Sequence, residues 1–312
     1  MSLDDLCNSS SISATTQAKI INDIWPRSST TRLQKDDLDW NAFFSYYTDA
    51  CTHTLHDHGQ HISIRTHRDV CAIAQQLAAS RSKEEIKEGL RTQLTDRARA
   101  REDEDRMLEG SVNLAARILA MMDFGTLEMG FSGRSQIAWA DESLKCRVHS
   151  YFNVSPDCSA EGLRLEGTFT ARNIEHIAGI EVAWTNNLAD HLKLVEDDKK
   201  VRIFHHASFL KWQQSQIFPD GLIEETLATL ALLVPQSDPK TQKWIRPLTK
   251  SAENSFCLDK YLLKCGQLRT DNRQFENFRF WHDRLVILKK VFDHSRPKTL
   301  SQWWHDRRNG VQ

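Results

Sequence analysis

Residues 170–206 read TARNIEHIAGIEVAWTNNLADHLKLVEDDKKVRIFHH, and this stretch constrains the fold more than any other part of the chain. Thr170 can cap a helix in which Ile174, Ile177 and Ala178 fall at i, i+3 and i+4. Gly179 then ends that helix, because a glycine adopts the left-handed terminating conformation at little cost. After a turn at 182–184, Asn186 caps a second predicted helix with Leu188, His191, Leu192 and Val195 on one face. Segments 193–196 and 201–204 flank the polar residues Asp197, Asp198, Lys199 and Lys200, a pattern that predicts a β-hairpin. Helix, turn, helix and hairpin in that order describe a winged-helix-like unit, placed at 143–206 with the helix at 143–152.

The rest of the chain predicts helix, so the expected fold class is mainly α. Residues 1–35, rich in Ser and Thr, read as a flexible N-terminal segment. An N-terminal helical region follows at 36–142. In it Trp40, Phe43, Phe44 and Tyr47 recur at helical spacing, and Ser82 with Glu85 forms a capping box. The mixed-charge run 97–105 reads as a solvated loop or frayed helix, a helix at 107–122 follows, and 136–140 reads as a strand. A C-terminal helical region occupies 207–312, with helices at 207–216, 221–234, 239–248, 257–265 and 275–294 and a short closing helix from Thr299. Pro235, Pro239, Pro247 and Pro297 stand at the breaks, where a residue without a backbone N–H belongs.

Charge and cysteine usage narrow the function classes. The 312 residues carry 41 basic and 42 acidic side chains, so the chain has no global excess of cations for neutralising phosphates. Seven scattered cysteines with no C-x-x-C pair fit a reducing compartment. The N-terminus carries acids where a signal peptide needs bases, and no stretch of about 18 apolar residues occurs. A cytoplasmic protein is expected, with the nucleus as the alternative.

The stretches FSGRSQIAW, WTNNLADHLKLVEDDKKVRIFHHASFL, IFPDGLIEETLATLALLVP, FWHDRLVILKKVF and SQWWHDRRNGVQ resemble a family of uncharacterised predicted proteins from filamentous fungi, over about 56–312. The resemblance implies no activity, cofactor or catalytic residue. It does imply that many relatives continue past the Trp-Trp-His-Asp-Arg-Arg segment into a C-terminal transmembrane helix.

Several residue clusters bear chemistry. Cys51, His53, His56, His58 and His61 are candidate metal ligands, since imidazole and thiolate suit zinc, but no second Cys/His pair matches the defined spacing that such a site draws from a separate element. No cofactor is called for. His205 and His206 follow the predicted wing strand, where alternation would set them on opposite faces, and a catalytic role would need a partner such as Asp190 or Ser208. Nucleophile-elbow, phosphate-loop, dinucleotide, zincin and EF-hand patterns are missing from the sequence.

Between 162 and 212 seven bases face seven acids, and the predicted recognition helix has Lys193 as its one firm cation. That weakens DNA binding, which leans on several phosphate contacts. Asn187, Asp190 and His191 on that helix, and Trp303, Trp304 and Arg307 in the tail, are the candidate interaction residues. The aromatic-basic tail suits a protein interface or weak contact with a membrane surface. The sequence favours a non-enzymatic protein-interaction or scaffold protein with a protein partner. A winged-helix DNA-binding regulator and a histidine- or metal-dependent enzyme stay open as alternatives.

Overall fold

The computed structural model describes residues 2–5, 7, 12–27, 38–55, 62–94, 100–125, 136–249 and 257–295. They fall into two units. The first comprises 1–38, 43–152 and 212–220, and the second 39–42, 153–211 and 221–312.

The first unit is helical. It opens with α1 (Ala14–Ile24), where the Ser13 hydroxyl accepts from the Thr16 N–H and Ile20, Ile21 and Ile24 are buried. The expectation of a flexible segment over 1–35 is therefore corrected for 14–24. Ser and Thr dominate the composition of this segment, but an apolar stripe at i, i+1 and i+4 outweighs them once it has a core to enter. In α2 (Asn41–Thr54), Phe43, Tyr47 and Cys51 recur every four residues and are buried, as the aromatic spacing predicts.

Both α3 (His67–Ala78) and α4 (Lys83–Gln93) start in a capping box, Thr66 with Asp69 and the predicted Ser82 with Glu85. The next helix, α5 (Arg101–Ala120), begins inside the run expected to be solvated. Glu102, Asp103 and Glu104 suit the positive end of its dipole. Glu104 and Asp105 meet Arg91 and Lys87 of α4 at 2.7 and 2.9 Å. The strand expected at 136–140 is reduced to a single parallel bridge between Phe124 and Ile137. The unit's helices close with α6 (Leu144–Phe152).

The second unit holds the sheet. Thr170 caps α7 (Ala171–His176), as expected. The residues read as a turn at 182–184 instead form β1 (Glu181–Thr185). Asn187, not Asn186, then caps a single 3-10 turn at Leu188–Asp190. The second helix of the winged unit does not form. Val182, Trp184 and Thr185 favour extended backbone, and Leu192 at φ 60 stops any helix five residues after Asn187.

The hairpin stands within one residue of its predicted place, with β2 (Lys193–Val195) antiparallel to β3 (Lys200–Phe204). Its turn puts Glu196, Asp197 and Asp198 at φ 56, 55 and 62, a left-handed run that Asp tolerates better than most residues. Because β1 pairs with β3 in parallel, the strand order is β1-β3-β2 and β3 is central.

Beyond the sheet come α8 (Ala207–Trp212), α9 (Leu222–Leu233), α10 (Pro239–Ile245) and α11 (His282–His294). Alpha helix expected over 257–265 is a 3-10 segment, Lys260–Lys264. The helix expected from 275 begins seven residues late, and Glu225 of α9 is the reason. Its carboxylate accepts from the N–H groups of Arg279, Phe280 and Trp281 at 2.9, 2.8 and 2.8 Å, which fixes that segment as a loop. Among the described residues no helix is long and apolar enough to cross a membrane.

Candidate functional site

The densest chemistry in the second unit follows directly on β3. The chain leaves the strand at Phe204, so the alternation that would separate His205 from His206 no longer applies. Their rings stack instead, with centroids 4.0 Å apart and planes 30° apart. Both Nε2 atoms contact Oδ1 of Asn186, at 3.0 and 2.7 Å. An amide oxygen only accepts, so each imidazole carries its proton on Nε2. Nδ1 of His205 in turn accepts from the Asp259 N–H at 3.4 Å. Burial pulls both rings down, His205 to about 3 and His206 well below the ordinary histidine range, so both are neutral at physiological pH.

Asp259 completes the cluster. Its carboxylate accepts from the Ser208 N–H at 2.6 Å, the Ser208 hydroxyl at 2.9 Å and the Tyr261 N–H at 2.8 Å. The Ser208 oxygen also accepts from the Asp39 N–H at 2.9 Å. Burial raises the Asp259 carboxyl to about 7 despite those donors. A serine beside a carboxylate and two histidines has the residue types of a hydrolase, but Ser208 and both rings are almost entirely inaccessible and the hydroxyl is engaged on both sides. The arrangement welds the end of β3 to α8 and the 259–261 segment. Ser208→Ala should destabilise the protein by about 2 kcal/mol, since it strips one donor from Asp259 and orphans the Asp39 N–H. Chemical denaturation measures this directly.

The residues proposed for interaction on the second helix are core residues. His191 is fully buried: Nδ1 accepts from the Phe204 N–H at 3.1 Å, Nε2 donates to the Thr229 hydroxyl at 2.7 Å, and the ring meets Trp281 edge-on at 4.8 Å. Asp190, 2 % exposed, accepts from Arg202 at 2.7 Å, and Lys193 lies 3.6 Å away. Asn187 is buried and caps the 3-10 turn. None of the three presents a face to a partner. The expected recognition helix is replaced by a 3-10 turn and the strand that follows it, and all three side chains are buried there.

Of the candidate metal ligands, Cys51 is buried in α2 and its thiol is pushed well up, by the Cys7 side chain first and by burial second. His53 is exposed in the last turn of the same helix. Cys51 and His53 are not brought together, and no group of three or more His, Cys, Asp or Glu among the described residues could hold a metal. His56, His58 and His61 lie outside the described residues, as do Trp303, Trp304 and Arg307.

A surface groove in the second unit was not legible in the sequence. It has a volume of about 970 Å³ and is lined by Pro239, Lys243, Arg246, Pro247, Leu263 and Lys264, with Gln236 and Gln242. Asp238 caps α10 and Pro239 takes its first position, so Lys243 and Arg246 fall one turn apart at the groove edge. The three cations are exposed, and no ion pair holds any of them among the described residues. Exposed Leu248 follows Pro247 in the chain. The groove therefore joins apolar proline and leucine surface to three cations, with no carboxylate among the described residues of its lining.

The chain matches no family model, no curated protein and no solved structure.

Proposed function

We propose that this chain is a non-enzymatic protein-interaction protein, and that the basic groove beside α10 takes an acidic, partly apolar segment of a protein partner. The observation that carries the reading is the lining itself: Lys243, Arg246 and Lys264 around Pro239, Pro247 and Leu263, with no acid among the described residues of the lining. Opposite charge along such a groove steers and registers a peptide, while the apolar floor contributes affinity. The cluster of Ser208, Asp259, His205 and His206 supports the same reading, because its polar groups are consumed in holding the core. DNA reading is weakened further by the burial of Asn187, Asp190 and His191.

The test is fluorescence anisotropy with a synthetic peptide of alternating Glu and Leu, beside a Lys-and-Leu peptide of equal length. The acidic peptide should bind, weaken as salt rises, and lose at least tenfold in affinity to the Lys243→Glu, Arg246→Glu, Lys264→Glu triple variant. Equal binding of both peptides, or an unaffected triple variant, overturns the groove as the contact face.

A further inference from the structure

The chain from 153 to 170 joins α6 to α7 without helix or strand. A connection of more than about 12–15 residues with no structure of its own is uncommon and usually carries function. This one opens on Asn153, Val154, Ser155, Pro156 and Asp157, all of them exposed. Ser155-Pro156 is also the one Ser-Pro or Thr-Pro step in the sequence. Proline keeps the residue before it out of the helical region and has no N–H of its own to place. Ser155 is thereby biased to extended backbone at the surface. A protein kinase takes its substrate as an exposed, extended segment, and a kinase whose pocket after the serine fits a proline ring and offers nothing to an N–H selects this step.

Two residues further on, the segment is tied down. The Asp157 and Cys158 N–H groups both donate to the Asp283 carboxylate in the first turn of α11, at 3.1 and 3.0 Å. Burial acts against that charge, but the His282 ring at 3.0 Å and the two N–H groups outweigh it and hold the carboxyl below its usual range, so the anchor is an anion.

We infer that Ser155 is a phosphoacceptor for a proline-directed protein kinase, and that its phosphate breaks the Asp283 anchor. In the transfer the Ser155 Oγ bonds to the γ-phosphorus of magnesium-bound ATP and the bond from that phosphorus to the β–γ bridging oxygen breaks. ADP leaves with the electron pair, and the hydroxyl proton passes to the catalytic carboxylate of the kinase. The product carries about two negative charges at neutral pH and three acceptor oxygens. The N–H groups of Asp157 and Cys158 follow it at i+2 and i+3, where an oxygen on a serine side chain reaches the backbone. A phosphate there competes with Asp283 for the same two donors and repels its carboxylate, so the segment leaves α11.

Asn153-Val154-Ser155 also matches the acceptor pattern for an asparagine-linked glycan. All seven cysteines are free thiols, which fits the reducing side of a membrane, where ATP and kinases act, better than a lumen where glycans are added.

The test is incubation of the full chain with magnesium-ATP and a recombinant mitogen-activated protein kinase, beside a kinase that instead requires arginine ahead of its serine. Tandem mass spectrometry should place phosphate on Ser155 with the first kinase only. Ser155→Ala should remove that phosphate, and Pro156→Ala should slow its entry by about tenfold or more while the serine stays. Both substitutions fall on exposed residues outside helix and strand and leave the fold standing. Release of the anchor is read by limited trypsin cleavage after exposed Arg164, beyond the span that a protease cleft reads around its cleaved bond. Phosphorylation should speed that cleavage by roughly threefold or more, since it opens the segment locally. Asp283→Ala should give the same gain without the kinase, and phosphorylating that variant should add nothing. Phosphate that stays off Ser155, equal labelling by the arginine-requiring kinase, an undiminished rate for Pro156→Ala, or a glycan on Asn153 in protein isolated from its own cells each overturns the site. An unchanged cleavage rate in the phosphorylated chain overturns the release from α11.

Discussion

Replacing His191 by alanine is expected to destabilise the protein by about 3–5 kcal/mol, the range for emptying a buried aromatic position. The ring has no solvent exposure and joins three elements. It accepts from the last residue of the central strand β3, donates to Thr229 of α9, and packs edge-on against Trp281 at the start of α11. Its removal leaves a cavity and orphans the Phe204 N–H, and a buried unsatisfied donor alone costs about 1–3 kcal/mol. The Thr229 hydroxyl passes the chain of hydrogen bonds on to the Thr226 carbonyl at 2.6 Å. Thr229→Val should therefore cost less, about 1–3 kcal/mol, by taking away the acceptor of the imidazole N–H while the ring stays. Urea denaturation followed by tryptophan fluorescence reads both variants. A His191→Ala midpoint indistinguishable from that of the parent would show that the ring is not the keystone of this core.

Acidification from pH 7 to pH 5 should remove stability on the order of 3 kcal/mol. In the unfolded chain His191, His205 and His206 take up protons as pH falls through about 6.5. In the folded chain burial keeps all three neutral well below that, His205 down to about 3, and Arg284 adds to the effect at His191. The unfolded state then binds more protons across the window. Stability from these rings is whole above about pH 6.5 and is lost as pH falls toward their folded values.

Asp259 acts with the opposite sign. Burial lifts its carboxyl to about 7, so the folded chain takes that proton first and acidification favours folding until the unfolded carboxyl titrates near 4. Glu225, also raised by burial against its three backbone donors, contributes in the same direction. Three imidazoles against two carboxyls leave the histidines ahead. Urea midpoints at pH 7, 6 and 5 should fall in that order; a midpoint that holds or rises would mean that the rings are protonated in the folded chain.

Local chemistry was legible where neighbours in sequence settle the matter. Thr170 and Ser82 cap the helices they were expected to cap, because a cap needs only the next three residues. The polar run at 197–200 marked the β2–β3 hairpin to within one residue, because turn chemistry is also local. The aromatic stripe of α2 and the helical character of the chain followed from periodicity alone. Of the candidate site residues, by contrast, Asn187, Asp190 and His191 were expected to serve interaction on a helix, and they lie buried beside the sheet.

Tertiary structure decided the rest through partners far away in the chain. Residues 182–185 became a strand because β3, some 20 residues on, offered a parallel edge, and that pairing left no room for a second helix. Segment 279–281 stayed a loop because Glu225, more than 50 residues earlier, captured its N–H groups. Asp259 reached Ser208 from 51 residues away, and Arg27 found Trp212 across 185. Caps, turns and apolar periods act over a few bonds and are written in order along the chain. Burial, and with it the protonation of His205, depends on what the fold stacks on a side chain, and no window of neighbouring residues holds that information.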